Sequence, residues 1–535
     1  MRIKKIRLGN KEVMPFTIPS GIISTEASSL ERLAKEIPEI GILTTKSITP
    51  EPRLGHREPV LAQYAQNSFI NAVGLTNQGM EEFARSLDRL KIPDDKFLLI
   101  SIAGTTPDEF RQLTKKLSPY ADGLELNLSC PNVKQGGLQI GNDSRIVRET
   151  VSTVTSLTNK PVFVKLAPNL ANIVETAMAA IEAGANGLTA INTKGPEEYK
   201  FEGYDVLTNK KGGKSGREII TLGLSCVQKL ADNFSNIPII ACGGIFSAND
   251  VLAYENAGAS AFGIGSALAM MKDSELRQYF STLIRDLEDG TNNTSNLIKK
   301  VNMEYRKFRV TDRYDLADDF HVLVMDCSFE AQAGQFLFAW LPEKGEKPFS
   351  ILETTPLKIA FSEKGCFTKD FAKLKPKDEI YFRGPYGISP EIPKNSKVAL
   401  VGGGCGIAGI NLFAENPNIE QVFIGAKDID HLIIPRKPND PNMLFLATED
   451  GSAGHKGLVT DLLSIYHNAD FFINCGPEAM VKAAIEIESQ LTFPERIYSS
   501  IDYMTRCGVG LCGSCANEQG LRTCVEGPFM SNKKS

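Results

Sequence analysis

The chain has 535 residues, more than one hydrophobic core ordinarily supports, so roughly two to four domains are expected. Apolar residues at 42% and charged residues at 23% exclude a disordered chain, and a formal charge of -5 gives no electrostatic reason to expect nucleic acid or an anionic membrane as partner. No run of 18 or more apolar residues supplies a spanning segment, and the 11 cysteines, thinly spread except near the end, do not form a secreted disulfide scaffold. The basic start "MRIKKIRLGNKEVMPF" lacks the apolar core of a signal peptide, so a reducing cytoplasm is the expected location.

In chain order, short apolar runs at 19–23, 41–46, 97–102, 122–129, 162–167, 187–192, 237–243 and 260–265 predict eight strands. Between them lie segments such as "DEFRQLTKKLSPY" and "LANIVETAMAAIEAG", with apolar residues every three or four positions. Buried strands alternating with crossover helices predict an α/β fold, an N-terminal (β/α)8 TIM barrel; an open doubly wound sheet is the alternative that periodicity leaves open.

Polar residues gather where those strands end: Lys46, Asn127, Cys130, Asn132, Lys165, Asn192 and Thr193. A barrel's C-terminal mouth is where side chains from several strands can converge on one substrate. Lys165, inside the apolar run "PVFVKLAP", is the most informative, because a buried ammonium requires an anion or a cofactor oxygen. The plainer reading is an ion pair with Glu125 on the adjacent strand. "GG" at 243–244 and "GIGS" at 263–266 suit a phosphate held by backbone amides, or are simply tight turns.

"ELNLSCPNVKQGG", with "TTKSIT", "NAVGLTNQG", "VFVKLAPN", "INT" and "ACGGI", resembles the catalytic subunit of class 1B dihydroorotate dehydrogenase over about residues 1–305. The resemblance implies Cys130 as catalytic base and Lys46, Asn71, Gly74, Leu75, Asn127, Asn132, Asn192 and Thr193 around the substrate. Around FMN it implies Ser20, Lys46, Asn127, Lys165, Gly216, Gly243, Gly244, Gly265 and Ser266. The residue types suit the chemistry: a thiolate removes a proton, a flavin takes hydride, amides read a pyrimidine edge, and a lysine steadies negative charge on the flavin. "ITPEPRLGHREPVLAQYAQNSF" and "KGPEEYKFEGYDVLTNKKGGKSGREI" depart from the family, the second with Arg217 where a proline is common, and it forms either a lid or a solvated face. A related FMN-dependent oxidoreductase of dihydropyrimidines or cyclic amides is therefore the first alternative, and a non-catalytic redox or interaction protein the second.

The charged helical stretch from 270 to 310 finishes the barrel, and the texture changes near 310–317. Four domains are expected: 1–312, an FMN-binding barrel; 313–393, a small antiparallel β-barrel; 394–496, an α/β nucleotide domain; and 497–535, a cysteine-rich segment. "VALVGGGCGIAG" places Gly402, Gly403, Gly404 and Gly406 after a strand, either for a pyrophosphate or as a packing turn, and it is not a proper GxGxxG. This order resembles the ferredoxin-reductase family and the electron-transfer subunit of class 1B dihydroorotate dehydrogenase. "KPFSI" falls on its FAD motif, implying Lys347, Pro348, Phe349 and Ser350, with Gly365 and Thr368 in the FAD loop and Phe367 where a small residue is common. Thr448, Glu449, Asp450, Gly451, Cys475 and Gly476, with the glycine run, are implied for NAD, which is preferred to NADP because no basic patch awaits a 2'-phosphate.

Finally, "CGVGLCGSCANEQGLRTC" spaces Cys507, Cys512, Cys515 and Cys524 by four, two and eight residues. The first three match plant-type [2Fe-2S] spacing, and structural zinc is the competitor. The resemblance implies dihydroorotate oxidation with electrons passing from FMN through [2Fe-2S] to FAD and NAD+ in pyrimidine biosynthesis, by a homodimer of fused chains.

Overall fold

The computed structural model describes residues 4–128, 141–168, 172–435, 441–466 and 468–533. The chain divides into two compact units, Met1–Asn302 with Val509–Leu521, and Met303–Gly508 with Arg522–Ser535. The boundary thus falls ten residues before the expected 312, and part of the expected 497–535 segment belongs to the first unit.

In the first unit eight parallel strands close into a barrel in chain order: β1 Phe16–Ile18, β2 Ile40–Thr44, β3 Phe97–Ile102, β4 Gly123–Asn127, β5 Val162–Leu166, β6 Gly187–Ala190, β7 Ile239–Cys242 and β8 Ala261–Gly263. The open doubly wound alternative is excluded. β2 to β5 are buried at every position, which is why they read as continuous apolar runs without alternation. The first strand lies at Phe16–Ile18, not at the expected 19–23. Pro19 lacks an N–H, and Gly21 and Ile23 sit at φ 90° and 59°, so "PSGII" leaves the sheet as a loop.

The crossover helices follow local rules. In α1 (Pro107–Leu117) Thr106 accepts from the Glu109 N–H, proline opens the first turn, and acidic and basic residues occupy the opposite ends. Phe110, Leu113, Thr114 and Leu117 form its buried stripe. A hairpin, Ile6–Leu8 paired with Lys11–Val13, closes the N-terminal end of the barrel, with Leu8 and Val13 packed among Phe97 and Phe163. At the other end Leu61–Ala65, Ser68–Asn71, Lys194–Glu198 and Lys211–Gly216 form a four-stranded antiparallel sheet. The two charged insertions therefore fold together as a lid.

The second unit has two sheets. β9 Arg306–Ala317, β10 Phe320–Met325, β11 Phe336–Leu341, β12 Gly345–Ser350, β13 Glu353–Thr354, β14 Leu357–Ser362 and β15 Glu379–Tyr386 are all antiparallel, in the order β12-β11-β15-β9-β10-β14-β13. Where a small barrel was expected, the hydrogen-bonded order of this sheet has two ends. β9 pairs with β10 and β15, which carries the boundary back to residue 303. The second sheet contains β16 Val398–Gly403, β17 Ile419–Ala426, β18 Leu444–Thr448, β19 His455–Lys456, β20 Phe471–Cys475, β21 Ile497–Ser500 and β22 Met530–Ser531, in the order β19-β18-β17-β16-β20-β21-β22. Strand order reverses between β16 and β20, and in open α/β sheets it is at the C-terminal ends of such a strand pair that a ligand crevice forms.

Candidate functional site

A cavity of about 1230 Å³, its open mouth included, lies at the C-terminal ends of the barrel strands. Ser20, Lys46, Asn71, Gly74, Leu75, Asn127, Lys165, Asn192, Thr193, Gly216, Gly243, Gly244, Gly265 and Ser266 all line it. Cys130 and Asn132 lie outside the described residues. The lid contributes Leu61, Asn71, Ser215 and Gly216, and the Asn71 Nδ2 donates to the Gly213 carbonyl at 3.1 Å, binding two lid strands together.

The polar groups of the cavity are oriented by a chain of hydrogen bonds that begins at a buried carboxylate. Ser101 Oγ donates to Glu125 Oε1 at 3.0 Å, so its single proton is committed. Ser47 must then donate to Ser101 at 2.9 Å, leaving the Ser47 oxygen to accept from Ser20 at 3.0 Å and from Asn127 Nδ2 at 2.9 Å. Asn127 consequently turns its carbonyl toward Asn192, whose Nδ2 donates to it at 3.3 Å, and Asn192 Oδ1 accepts from the Thr193 N–H at 2.9 Å. Sequence reasoning found the asparagines but missed Ser47 and Ser101, which aim them. The available signal was a hydroxyl immediately after Lys46 at a strand end.

Lys165 and Glu125 are both buried, at 5% and 1% exposure, with Nζ and Oε1 3.8 Å apart. The ion pair exists, but it is long, and Lys165 also faces the cavity. Cys242, another missed lining residue, has its thiol pushed up to about 12 by burial, with Lys165 opposing and Glu125 reinforcing the shift. It is a neutral thiol at physiological pH and no rival to a thiolate base.

The residues present fit FMN. Gly243 and Gly244, at φ 116° and 77°, turn the backbone at the end of β7 in conformations that L side chains rarely adopt, and a Cβ on Gly244 would stand 2.7 Å from Ile220. Gly265 and Ser266, following the neighbouring strand β8, line the same cavity, and Ser266 Oγ donates to Ser215 Oγ at 3.3 Å. Backbone amides and hydroxyls at one end with a buried ammonium elsewhere match a phosphorylated, electron-accepting ring.

In the second unit the expected FAD residues Lys347, Pro348, Phe349 and Ser350 are half-buried on β12. Thr368 Oγ1 accepts from the Lys364 and Gly365 N–H groups at 2.9 and 3.0 Å, which shapes the Gly365 turn. Phe367 is buried against Phe349 and Phe371, at ring separations of 6.1 and 5.7 Å, so its bulk is absorbed by an aromatic core. The glycine run serves packing at three of four positions. A Cβ would meet Ile410 from Gly402, the Met480 sulfur from Gly403 and the Cys475 carbonyl from Gly406. Gly404, at φ 52°, faces open space. Glu449, Asp450 and Gly451 follow the end of β18 at Thr448, while Gly476 follows β20, whose last residue is Cys475.

Cys507, Cys512, Cys515 and Cys524 are buried, and Gly508, Gly510 and Gly513 between them have φ of 81°, 74° and 69°. Among the described residues no disulfide forms, and no three His, Cys, Asp or Glu side chains gather as a site able to hold a metal ion. The donor set and burial suit an iron–sulfur cluster; the gathering is not seen. Cys512 and Leu511 line the barrel cavity. The Cys507 carbonyl accepts from Arg383 Nη1 at 2.9 Å. Arg383 is itself fixed by Glu346, with Nε and Nη2 2.7 and 2.6 Å from the two carboxylate oxygens.

The dihydroorotate dehydrogenase family profile matches residues 4–288. The chain is 38% identical over 258 residues to the protein named dihydroorotate dehydrogenase B (NAD+), catalytic subunit, of Methanocaldococcus jannaschii, covering 48% of this chain and 83% of that protein. It is similar to proteins of the same name from Pyrococcus abyssi, at 38% over 292 residues (54% of this chain, 96% of that one), and Exiguobacterium sibiricum, at 40% over 243 residues (44% and 78%). No helix among the described residues is long and apolar enough to cross a membrane.

Proposed function

This chain belongs to the dihydroorotate dehydrogenase family, and from that premise we propose that its barrel oxidises (S)-dihydroorotate to orotate and that its second unit passes the electrons to NAD+. It is an oxidoreductase of the dihydroorotate dehydrogenase (NAD+) type, related to enzymes of pyrimidine metabolism. The observation that carries the substrate reading is the oriented chain Glu125–Ser101–Ser47–Asn127–Asn192 beside a lysine-bearing cavity. It presents amide groups of fixed direction, which suits a planar ring with alternating N–H and C=O edges.

In this reading Cys130, as thiolate, removes the proton from the carbon beside the ring carbonyl. Asn71, Asn127, Asn132, Asn192 and Thr193 hold the ring, and Lys46 meets its carboxylate. Lys165 offsets negative charge developing at the flavin, and the lid excludes water. FMN, when bound, supplies the hydride acceptor. Gly243, Gly244, Gly265 and Ser266 would hold its phosphate by backbone N–H and hydroxyl groups. Cys507, Cys512, Cys515 and Cys524 would hold a [2Fe-2S] cluster, a one-electron relay to FAD near Lys347–Ser350 and Gly365–Thr368, which in turn serves NAD+ at Gly402–Gly406. Spacing and burial of the thiols support the cluster. The assembly is proposed as a homodimer of fused chains in the cytoplasm.

The test is anaerobic mixing of iron-reconstituted protein with dihydroorotate while the flavin band is recorded, followed by NAD+. Bleaching by dihydroorotate and NADH formation are expected. Bleaching by another dihydropyrimidine but not by dihydroorotate would move the substrate, and zinc without acid-labile sulfide would remove the relay.

A further inference from the structure

Among the residues of the first unit that are not glycine yet adopt the left-handed conformation are Ile23 at φ 59°, after β1, and Met270 at φ 62°, after β8. A β-branched residue there is an outlier that persists only when its surroundings over-determine it. The Ile23 side chain is 2% exposed within the barrel core, so it cannot swing away to relax. Both residues point their backbone N–H groups at the same target. Ile23 donates to the Leu511 carbonyl at 2.8 Å and Met270 to the Val509 carbonyl at 2.9 Å.

The grip extends along the cysteine segment. Thr25 Oγ1 donates to the Cys512 carbonyl at 2.8 Å. Gly513 approaches so closely that a Cβ would stand 2.4 Å from the Ile23 carbonyl, and a Cβ on Gly520 would stand 2.7 Å from the Ser28 carbonyl. The loops that hold the segment also build the cavity: Ser20 and Ile22 come from the first, Gly265 and Ser266 from the second, while Leu511 and Cys512 of the segment complete the wall.

We propose that segment 509–521 is a structural part of the flavin site, clamped by the left-handed backbones of Ile23 and Met270, so that flavin binding and docking of the segment strengthen each other. The inference rests on the FMN reading above. The coupling is reciprocal: whatever releases the segment weakens the flavin, and loss of flavin loosens the clamp.

Gly520→Val tests it, because position 520 is neither a cavity residue nor a proposed ligand, yet a branched side chain there collides with Ser28. FMN affinity is read by fluorescence quenching and segment release by tryptic cleavage at Arg506. Release together with roughly tenfold weaker FMN binding is expected, within the usual range of coupling between sites. Release with unchanged FMN affinity overturns the inference, and wild-type protein that binds no FMN overturns the reading beneath it instead. Should Gly520→Val fail to fold, hydrogen exchange of wild type with and without FMN gives the second test. The Ile23 and Met270 amides must lose protection when FMN is removed; equal protection overturns the coupling. Met270→Gly, which accepts the same φ without strain, is expected to keep both docking and FMN affinity within about twofold.

Discussion

Two buried ion pairs, one in each unit, show how differently the same chemistry can be used. Glu346 and Arg383 are 0% and 1% exposed, joined by two bonds of 2.7 and 2.6 Å, with Tyr305 donating to the same carboxylate at 2.6 Å and the guanidinium 3.9 Å from the centre of the Phe338 ring. Two further donations, to Tyr386 Oη and the Cys507 carbonyl, both at 2.9 Å, leave little for a ligand to engage. Glu125 and Lys165 are as deeply buried but stand 3.8 Å apart beside a cavity. A closed bidentate pair is architecture, whereas a long pair at a void keeps its charge available to whatever enters.

The largest effect expected from this contrast is on stability. Arg383→Met leaves Glu346 buried without its cation, which costs about 3–5 kcal/mol. Trp340, the chain's one tryptophan, packs on Tyr305 with ring centroids 4.6 Å apart, so denaturation followed by its fluorescence reports on this region. Pairing Arg383→Met with Glu346→Leu should recover most of the loss. A single variant costing less than about 1 kcal/mol would place the two pairs in one class.

Lys165→Met should show the opposite balance. About a 100-fold fall in kcat/KM is expected from losing a preorganised cation at developing charge, with a thermal midpoint within a few degrees of wild type. A large loss of stability with normal turnover would make Lys165 the structural partner that its spacing to Glu125 also allowed.

The contrast also explains what was legible in the sequence. The barrel strands were readable because burial on both sides leaves apolar runs, and Lys165 stood out as the charge inside one of them. β1 was misplaced by three residues because "PSGII" is as apolar as a strand, and only the backbone at Pro19, Gly21 and Ile23 takes it out of the sheet. Beyond the hydroxyl that follows Lys46, nothing local marked Ser47, Ser101 or Glu346, since their roles depend on partners 24 to 80 residues away and, for Glu346, on Arg383 37 residues on. The glycine run after β16 left two readings open. Three of its four glycines make room for neighbouring protein atoms.

A third buried charge sharpens the comparison through pH. Glu488 is fully buried, and burial pushes its carboxyl up to about 8, opposed by the Asn474 Nδ2 bond at 2.7 Å. Among the described residues Glu488 Oε1 and Asn474 Oδ1 both lack a partner, which a protonated carboxyl would mend by donating. Its folded pKa lies above the unfolded value, so the folded state holds the extra proton between about 4.5 and 8. Stability conferred by the neutral form is complete below that window and falls about tenfold in folding constant per pH unit across it. Glu488→Gln should flatten this slope in denaturation followed by circular dichroism, with the variant gaining over wild type most above pH 8. An unchanged slope would mean the carboxylate is charged and compensated, as in the Arg383 pair.

The smallest expected effect separates space kept for a ligand from space filled by the protein. At Gly404 a methyl meets nothing within 4 Å among the described residues, and the cost there is the left-handed backbone at φ 52°, about 1–2 kcal/mol for an L residue. At Gly406 a methyl would stand 2.3 Å from the Cys475 carbonyl, where the backbone must move. Gly406→Ala should therefore lower stability more than Gly404→Ala, as a packing turn requires. If a dinucleotide also lies over this turn, Gly404→Ala should raise KM for NAD+ severalfold while its melting temperature drops only slightly, because the open side of Gly404 is where backbone and pyrophosphate can approach. An unaltered KM would leave the whole glycine run to packing and shift the search for the nucleotide along the β16–β20 crevice toward Gly476.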